Sequence, residues 1–596
     1  MELNVWALGG VVLVAVLTFV LGIFGSRSAK TTPDFLVARR GVSANYNATA
    51  VAGEYLSAAS FLGVASLVLK DGADALWYPV GFAAGYVALL LFVAAPLRRS
   101  GAYTLPDFAE ARLGSVRLRH LATLFVVLIG LLYIVPQFQV AGLTLATITG
   151  LPSWSGSTLV AAIVVINVLS GGMRATTLVQ AFQYCLKLFA IMVPAFVLSV
   201  VFFGDHSTPH RPLSAPRAPN FTTQTKVDVR TSVRLYVDEP VQLEAHGRID
   251  GYSANGVVYW AGGGTHTVEQ DTTLIFPAGA VVPVVHDAVA RNAAWLRPED
   301  AGVADMIRTY SLIFATFLGT MGLPHVLVRF YTNPDGRSAR RTALHVLLLL
   351  GVFYLFPTIF GALSRLYIPQ LLVTGTTDAA VLLLPSAMLN NPLGSVLSAI
   401  TAAGAFAAFL ATSAGLVVCV AGVLSTDLLS GRVRDFRLAT AFVGVVPLVL
   451  ALLANTMDVS QAVGLAFATA ASTFCPLLLL GIWWRGLTAP GAAAGLLVGG
   501  GLALASTATT VLFAHSAWMT PLLMQPAVVT VPAAFVTMVV VSKATRRHIP
   551  PDVSRILLRL HAPDPLGFMQ DRDVQRFGSA EEKRDRLRDS HGRHRK

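Results

Sequence analysis

The chain has 596 residues, of which 54% are hydrophobic and only 13% charged, with a mean hydropathy of +0.64. A soluble protein carries about 25% charged residues, so this composition excludes an ordinary soluble domain and indicates a polytopic helical membrane protein. The net charge of +12 does not signal a nucleic-acid partner. The arginines and lysines fall mostly in short loops and the C-terminal tail, where they set membrane orientation and meet anionic lipid.

Residues 5–25 form the first apolar span, with Glu2 before it and Arg27, Lys30, Arg39 and Arg40 after it. That asymmetry puts the N-terminus outside and the 26–43 loop in the cytoplasm. The next span, 44–69, is long enough to cross a bilayer, which takes about 20 residues. Its middle is unusual: Gly53, Ser57, Ser60 and Gly63 are small, and Glu54 is a carboxylate. A charge there costs about 2.5–3.5 kcal/mol on insertion scales, so Glu54 must face protein or a water-filled cavity, as a carboxylate bonded to neighbouring helices or as a proton carrier. Small and polar residues let such a helix open, which frees carbonyls and amides for a ligand. Spans 76–96, 121–148 (containing Pro136, Gln137, Phe138 and Gln139), 157–172 and 178–203 follow.

Residues 204–302 are polar, with alternating runs at 233–237 and 256–260 that read as short strands in an outer β-rich insertion. The span 303–331 then repeats the character of 44–69, with Gly319, Thr320, Gly322, Pro324 and His325 inside an apolar run that ends at Arg329. Spans 342–368, 394–424, 437–454, 459–483, 488–513 and 521–543 bring the number of crossings to thirteen. Every short loop assigned inside carries arginine or lysine, and the short outer loops hold only Lys70 and Arg365. Cys185, Cys419 and Cys475 lie in apolar spans without metal-ligand spacing and read as small core residues. The charged tail, 544–596, begins with an amphipathic piece, Ile556 to Leu560, expected at the membrane interface, and is expected to be disordered toward its end.

The two interrupted spans are the second and the seventh. Their spacing fits two inverted five-helix repeats, each opened by a broken helix. The expected fold class is an all-α polytopic membrane protein with about thirteen transmembrane helices and a small β-rich extracytoplasmic insertion. Its expected units are 1–43, a first repeat 44–203, the insertion 204–302, a second repeat 303–483, two further helices 484–543, and the tail 544–596.

Four segments, GEYLSAASFLG (53–63), GGMRATTLVQ (171–180), LGTMGLPHVLVRFYT (318–332) and VGLAFATAASTFCPLLLLGIWWRGLT (463–488), closely resemble the sodium:solute symporter family. Within it they look most like the bacterial cation–acetate (monocarboxylate) permeases. The resemblance covers roughly residues 5–540, apart from the bulk of the 204–302 loop, and implies a LeuT-like ten-helix core with one helix before it and two after. It also implies a sodium site between the first broken helix and span 394–424. The matching positions are the carbonyls of Gly53, Leu56 and Ala408 and the side chains at 411 and 412. Thr412 offers a hydroxyl, but residue 411 is alanine where many members have serine. Ser413 or water could fill that gap, or the coupling ion could be a proton. Gln180 stands where sugar and proline members carry aspartate, a feature the acetate-like subgroup shares.

The substrate side must hold a carboxylate without a lysine or arginine at the centre of either broken span. Amides at the start of the half-helix near Ser57 can do so, assisted by the hydroxyls of Ser57 and Ser60. Gly319 and Gly322 would let the second broken helix present its backbone, and Gln137 could donate its amide. Ala58, Ala59 and Phe138 leave room for a short aliphatic tail, and Tyr55 and Thr320 complete the expected set. The expected function is secondary symport of a small monocarboxylate such as acetate with sodium or another cation, in a bacterial plasma membrane. A different small solute (pyruvate, propionate or proline) and a transporter-like sensor are the alternatives. No organic cofactor, enzymatic centre or nucleic-acid partner is expected, and no oligomer is required.

Overall fold

A chain that crosses lipid must satisfy every backbone N–H and C=O internally, which leaves a segment of about 20 apolar residues the choice of helix. In the computed structural model the described residues are 5–26, 32–204, 217–286, 288–297, 303–429, 432–453, 459–513, 521–566 and 568. Among them, eleven helical stretches are long and apolar enough to cross a membrane. Two of these each hold two crossings. Ala59–Phe92 joins the second half of the first broken helix to the following span through a tight 3-10 turn, Gly72–Leu76. Ser153–Gly204 turns sharply at Gly172, which has φ 55 and ψ −144. The thirteen expected spans are thus accommodated, with one correction. No loop separates 157–172 from 178–203, because Gly172 alone makes the turn in a conformation that side chains rarely adopt. A Cβ there would also lie 2.5 Å from the ring of Phe35.

The helix Pro392–Asp427 is the axis of the fold, and its most apolar window is wholly buried. Asn391 caps it by accepting from the Gly394 N–H at 3.1 Å, and Pro392 suits the first turn, where no N–H is needed. Small residues then let other helices approach. A Cβ on Gly404 would meet the Phe61 ring at 2.7 Å, and one on Gly415 would fall within 2.0 Å of the Glu54 carboxylate.

The insertion forms a seven-stranded antiparallel sheet in the order β1-β6-β3-β5-β2-β7, with β4 on β3. The strands are β1 (Thr225–Val229), β2 (Val233–Val237), β3 (Val241–Ile249), β4 (Tyr252–Trp260), β5 (Gly264–Val268), β6 (Thr272–Phe276) and β7 (Val284–Val285). The run 233–237 is β2 as expected, whereas 256–260 is only the second half of β4. The β3–β4 hairpin turns through Asp250 and Gly251, both at positive φ, as a two-residue hairpin requires.

Two charges expected in short outer loops, Arg365 and Lys70, are buried, and so is Arg329, which closes a span. Arg365 is fully buried and donates to Asn292 Oδ1 (2.8 Å) and to the carbonyls of Ala290 (2.8 Å) and Val289 (3.0 Å), which anchors the end of the insertion. Lys70, also buried, offers its carbonyl to the Val289 N–H at 3.0 Å. Arg329 lies in the protein interior. The amphipathic piece is the helix Val553–His561, and it buries Leu557 and Leu560 against protein while Leu558 stays exposed. Most of the tail beyond it lies outside the described residues.

Candidate functional site

Both breaks follow from local chemistry. The first half-helix, Ala44–Tyr55, stops where Leu56 takes φ −72 and ψ 81, an inverse γ-turn closed by the Ser57 N–H on the Tyr55 carbonyl at 2.8 Å. The chain resumes through a wide π-helical turn, Ala59–Gly63, into Val64–Asp71. The second broken helix, Val303–Gly322, ends at Leu323, which is extended with φ −68 and ψ 115. Pro324 forces that geometry on the residue before it and then opens the next helix, Pro324–Val328, at a position that needs no N–H.

The two breaks meet. The Tyr55 and Thr320 hydroxyls are 2.8 Å apart, and both residues are buried. The remaining expected substrate residues divide. The Ser57 hydroxyl accepts from the Tyr133 hydroxyl at 3.2 Å, and Ser60 pairs with the Tyr354 hydroxyl at 2.9 Å. The Gln137 Oε1 accepts from the Ala58 N–H at 3.2 Å, and its Nε2 is buried with no partner. Gly319 and Gly322 serve as close-approach points. Their Cβ positions would lie 2.6 Å from the Phe467 carbonyl and 2.3 Å from the Ala470 carbonyl, so both seat the broken helix on Val459–Trp483.

Aromatic side chains wall the junction. The Tyr55 ring packs edge-on against Tyr86 (4.9 Å between centroids) and Phe82 (5.8 Å), Phe467 lies against Tyr133 (6.0 Å), and Tyr133 against His325 (5.2 Å). Both ring nitrogens of His325 and the Tyr86 hydroxyl are buried without hydrogen-bond partners. Together with Gln137 Nε2 they make a set of buried polar atoms among apolar walls. This is the composition of a small-molecule site, with apolar surface for bulk and a few polar groups for orientation.

A polar network lies beside the first break. Arg329 Nε donates to Glu54 Oε2 at 2.5 Å, one guanidinium nitrogen reaches Thr177 Oγ1 at 2.8 Å, and the other bonds Gln180 Oε1. Gln180 Nε2 in turn donates to the Ala411 carbonyl at 2.7 Å. Glu54 Oε2 is thus paired while its Oε1 is buried without a hydrogen-bond partner, and Gln180 is a strut between two helices.

Of the expected ion ligands, Gly53, Leu56 and Thr412 lie at the same break. The Thr412 hydroxyl donates to the Glu54 carbonyl at 2.6 Å, across helices rather than to its own turn. Ser413 Oγ is buried without a partner, and Ala408 is buried on the same helix. The carbonyls of Gly53 and Leu56 both accept from the ammonium of Lys187, the latter at 2.7 Å. Lys187, Arg329, Tyr133, Tyr86 and His325 were not among the residues expected at the site. A signal existed for the first, since a lone lysine inside an apolar span is a functional position by default.

The Sodium:solute symporter family model matches residues 35–235 and 255–499. The chain is 29% identical over 514 residues to the uncharacterized symporter YwcA of Bacillus subtilis (strain 168), covering 84% of this chain and 85% of that protein. It is also 29% identical over 507 residues to the monocarboxylic acid transporter of Corynebacterium glutamicum, covering 82% and 80%. Among solved structures, a substrate-bound outward-open Na+-coupled sialic acid symporter superposes with a TM-score of 0.60 at 13% identity, over 90% of this chain and 98% of that one. Mhp1, a nucleobase-cation-symport-1 family transporter in a closed conformation with bromovinylhydantoin bound, gives 0.50 at 11% identity, over 89% and 99%. The fold is thus shared with transporters of the LeuT-like class, and the family match spans most of the chain. This multi-pass membrane protein, with its paired helix breaks, belongs to the sodium:solute symporter family.

Proposed function

We propose that the chain couples the influx of a cation, sodium or another such as a proton, to uptake of a small monocarboxylate such as acetate by alternating access. The observation that carries this reading is the junction of the two breaks at Tyr55 and Thr320, with the unpartnered Gln137 Nε2 beside the Ala58 amide. A half-helix starting at Ser57 contributes up to ~2 kcal/mol toward an anion in a partly buried setting. The aromatic wall leaves an apolar flank suited to a short aliphatic tail. The similarity to a monocarboxylic acid transporter supports the same substrate class.

The units 44–203 and 303–483 would rock against one another about this junction. The host is a bacterial plasma membrane, with the N-terminus outside and the C-terminus cytoplasmic. One monovalent cation moving with one monocarboxylate anion transfers no net charge. The membrane potential, worth about 2.3 kcal/mol per charge per 100 mV, then does not help. A tenfold cation gradient supplies about 1.4 kcal/mol and hence about tenfold accumulation.

Reconstituted vesicles with imposed ion gradients test the reading. Labelled acetate should accumulate above equilibrium only while a cation gradient persists, and unlabelled propionate or pyruvate should compete in proportion to fit. Accumulation that ignores every cation gradient would remove the coupling, and failure of any monocarboxylate to compete would remove the substrate class.

A further inference from the structure

Breaking a helix orphans specific backbone groups, and three of the carbonyls orphaned at the first break can be followed. In an unbroken helix the Gly53, Glu54 and Leu56 carbonyls would accept from the N–H groups of residues 57, 58 and 60. Here the Ser57 N–H turns to Tyr55, the Ala58 N–H to Gln137, and the Ser60 N–H to the Ser57 carbonyl at 3.1 Å. Three carbonyls are left over. Thr412 satisfies that of Glu54, and the Lys187 ammonium satisfies those of Gly53 and Leu56.

Those two carbonyls are the ones the family resemblance assigns to sodium. A sodium ion is a hard cation that needs several oxygens at once, and an ammonium is a compact point charge with three donors. One cradle of two carbonyls cannot hold both, because the charges would share the same oxygens at contact distance in a water-poor interior. The other expected donors do not make good the loss. Residue 411 is alanine and brings no side-chain oxygen, the Ala408 carbonyl lies inside the helix Pro392–Asp427, the Thr412 hydroxyl is committed to Glu54, and among the side-chain oxygens expected here Ser413 Oγ alone has no partner. The residues present therefore do not fit a sodium ion at this position.

We infer that Lys187 is the resident cation of this site. Its tethered ammonium holds the broken helix in place of sodium, so this transporter takes no sodium between Gly53, Leu56 and the helix Pro392–Asp427. The inference rests on the cation-coupled reading above only for the identity of the position, and it does not depend on which solute is carried.

The test needs no transport. The melting temperature of the purified full-length protein is measured in sodium chloride and in choline chloride, and the difference between the two salts is compared among wild type, Lys187→Ala and Thr412→Val. Lys187→Ala frees both carbonyls and the space beside them, so it should gain a concentration-dependent, sodium-specific rise that wild type lacks. Thr412→Val should leave the wild-type difference unchanged. A Lys187→Ala protein whose sodium response is no larger than that of wild type would overturn the inference. So would a wild-type response that Thr412→Val reduces, and this second variant decides alone if Lys187→Ala fails to fold. Since neither readout involves uptake, loss of this inference would leave the monocarboxylate reading standing, and loss of that reading would leave this one measurable.

Discussion

The hydroxyls of Tyr55 and Thr320 lie 2.8 Å apart although 265 positions separate them in the chain. Thr320 also donates to its own helix at the Thr316 carbonyl, 2.8 Å away, so the Tyr55 hydroxyl is the group that joins the two breaks. Tyr55→Phe keeps the ring against Tyr86 and Phe82 and removes only this link. It should lower stability by about 1 kcal/mol, the net worth of one hydrogen bond. It should also raise KM for the carried solute more than it lowers the maximal rate. Thermal melting and uptake on the same preparation check both, and an unchanged variant would show the link to be idle.

The Glu54–Arg329 pair is buried on both sides, and its 2.5 Å contact ties the first broken helix to the chain just beyond the second. Removing one partner leaves an uncompensated buried charge, so Glu54→Gln or Arg329→Met should each destabilise by about 3–5 kcal/mol. The double variant leaves neither member of the pair without its partner and should melt above either single one. If the double variant melts below both, the pair contributes through something other than mutual compensation.

Glycine positions separate close packing from mere helical composition. Gly53→Ala would drive a methyl to 2.2 Å from the Gln180 carbonyl, a backbone atom that cannot swing away. Gly351→Ala enters open space within the helix Gly336–Tyr367. The first should abolish uptake or folded yield. The second should be neutral or stabilising by about 0.5–1 kcal/mol, the ordinary gain of alanine over glycine in a helix. Comparable losses in both would contradict the packing described.

The described end of the C-terminal segment is pinned by Asp564, which accepts from Arg99 Nε at 2.9 Å and from the Arg337 N–H at 3.1 Å. Partial burial pushes this carboxyl up, but the Arg99 guanidinium and the Gly336 and Arg337 amides outweigh it and hold it below its ordinary value of 3.8. A carboxylate depressed in the folded state adds stability that is present above that ordinary value. The contribution is lost as pH falls through the lower folded value. Cleavage of the tail by an acid-active protease should therefore quicken only below about pH 4 in wild type. Asp564→Asn should be cleaved at the faster rate throughout.

The breaks were legible because their causes are local. Gly53 to Ser57 reads as small and polar, and Leu323-Pro324 cannot continue a helix. That Glu54 needs a partner was legible because a lone charge in an apolar run must find one. Its partner was not, since Arg329 closes an apolar span and reads equally well as an inside-loop charge. Arg365 misled in the same way, a buried anchor that resembled an outer-loop residue. Lys187 carried a signal as a lone lysine in an apolar span, but its role at the break did not. One lysine barely alters the hydropathy of 178–203, and its carbonyl partners lie more than a hundred residues away, on a geometry that exists only once the helix has broken. At Gly319 and Gly322 small size was visible but its direction was not, and the direction is toward Val459–Trp483.

The central claim is that the solute is held where the two breaks meet. Its most direct test is protection from thiol labelling, in a background with Cys185, Cys419 and Cys475 replaced by alanine. Ser57→Cys and Gln137→Cys report on the junction, and Val257→Cys, exposed on strand β4, is the control. Acetate, compared with an equal concentration of chloride, should slow labelling at 57 and 137 in a saturable way and leave 257 unchanged. Labelling at 57 and 137 that ignores acetate, in protein that still accumulates it, would place the solute elsewhere and contradict the account.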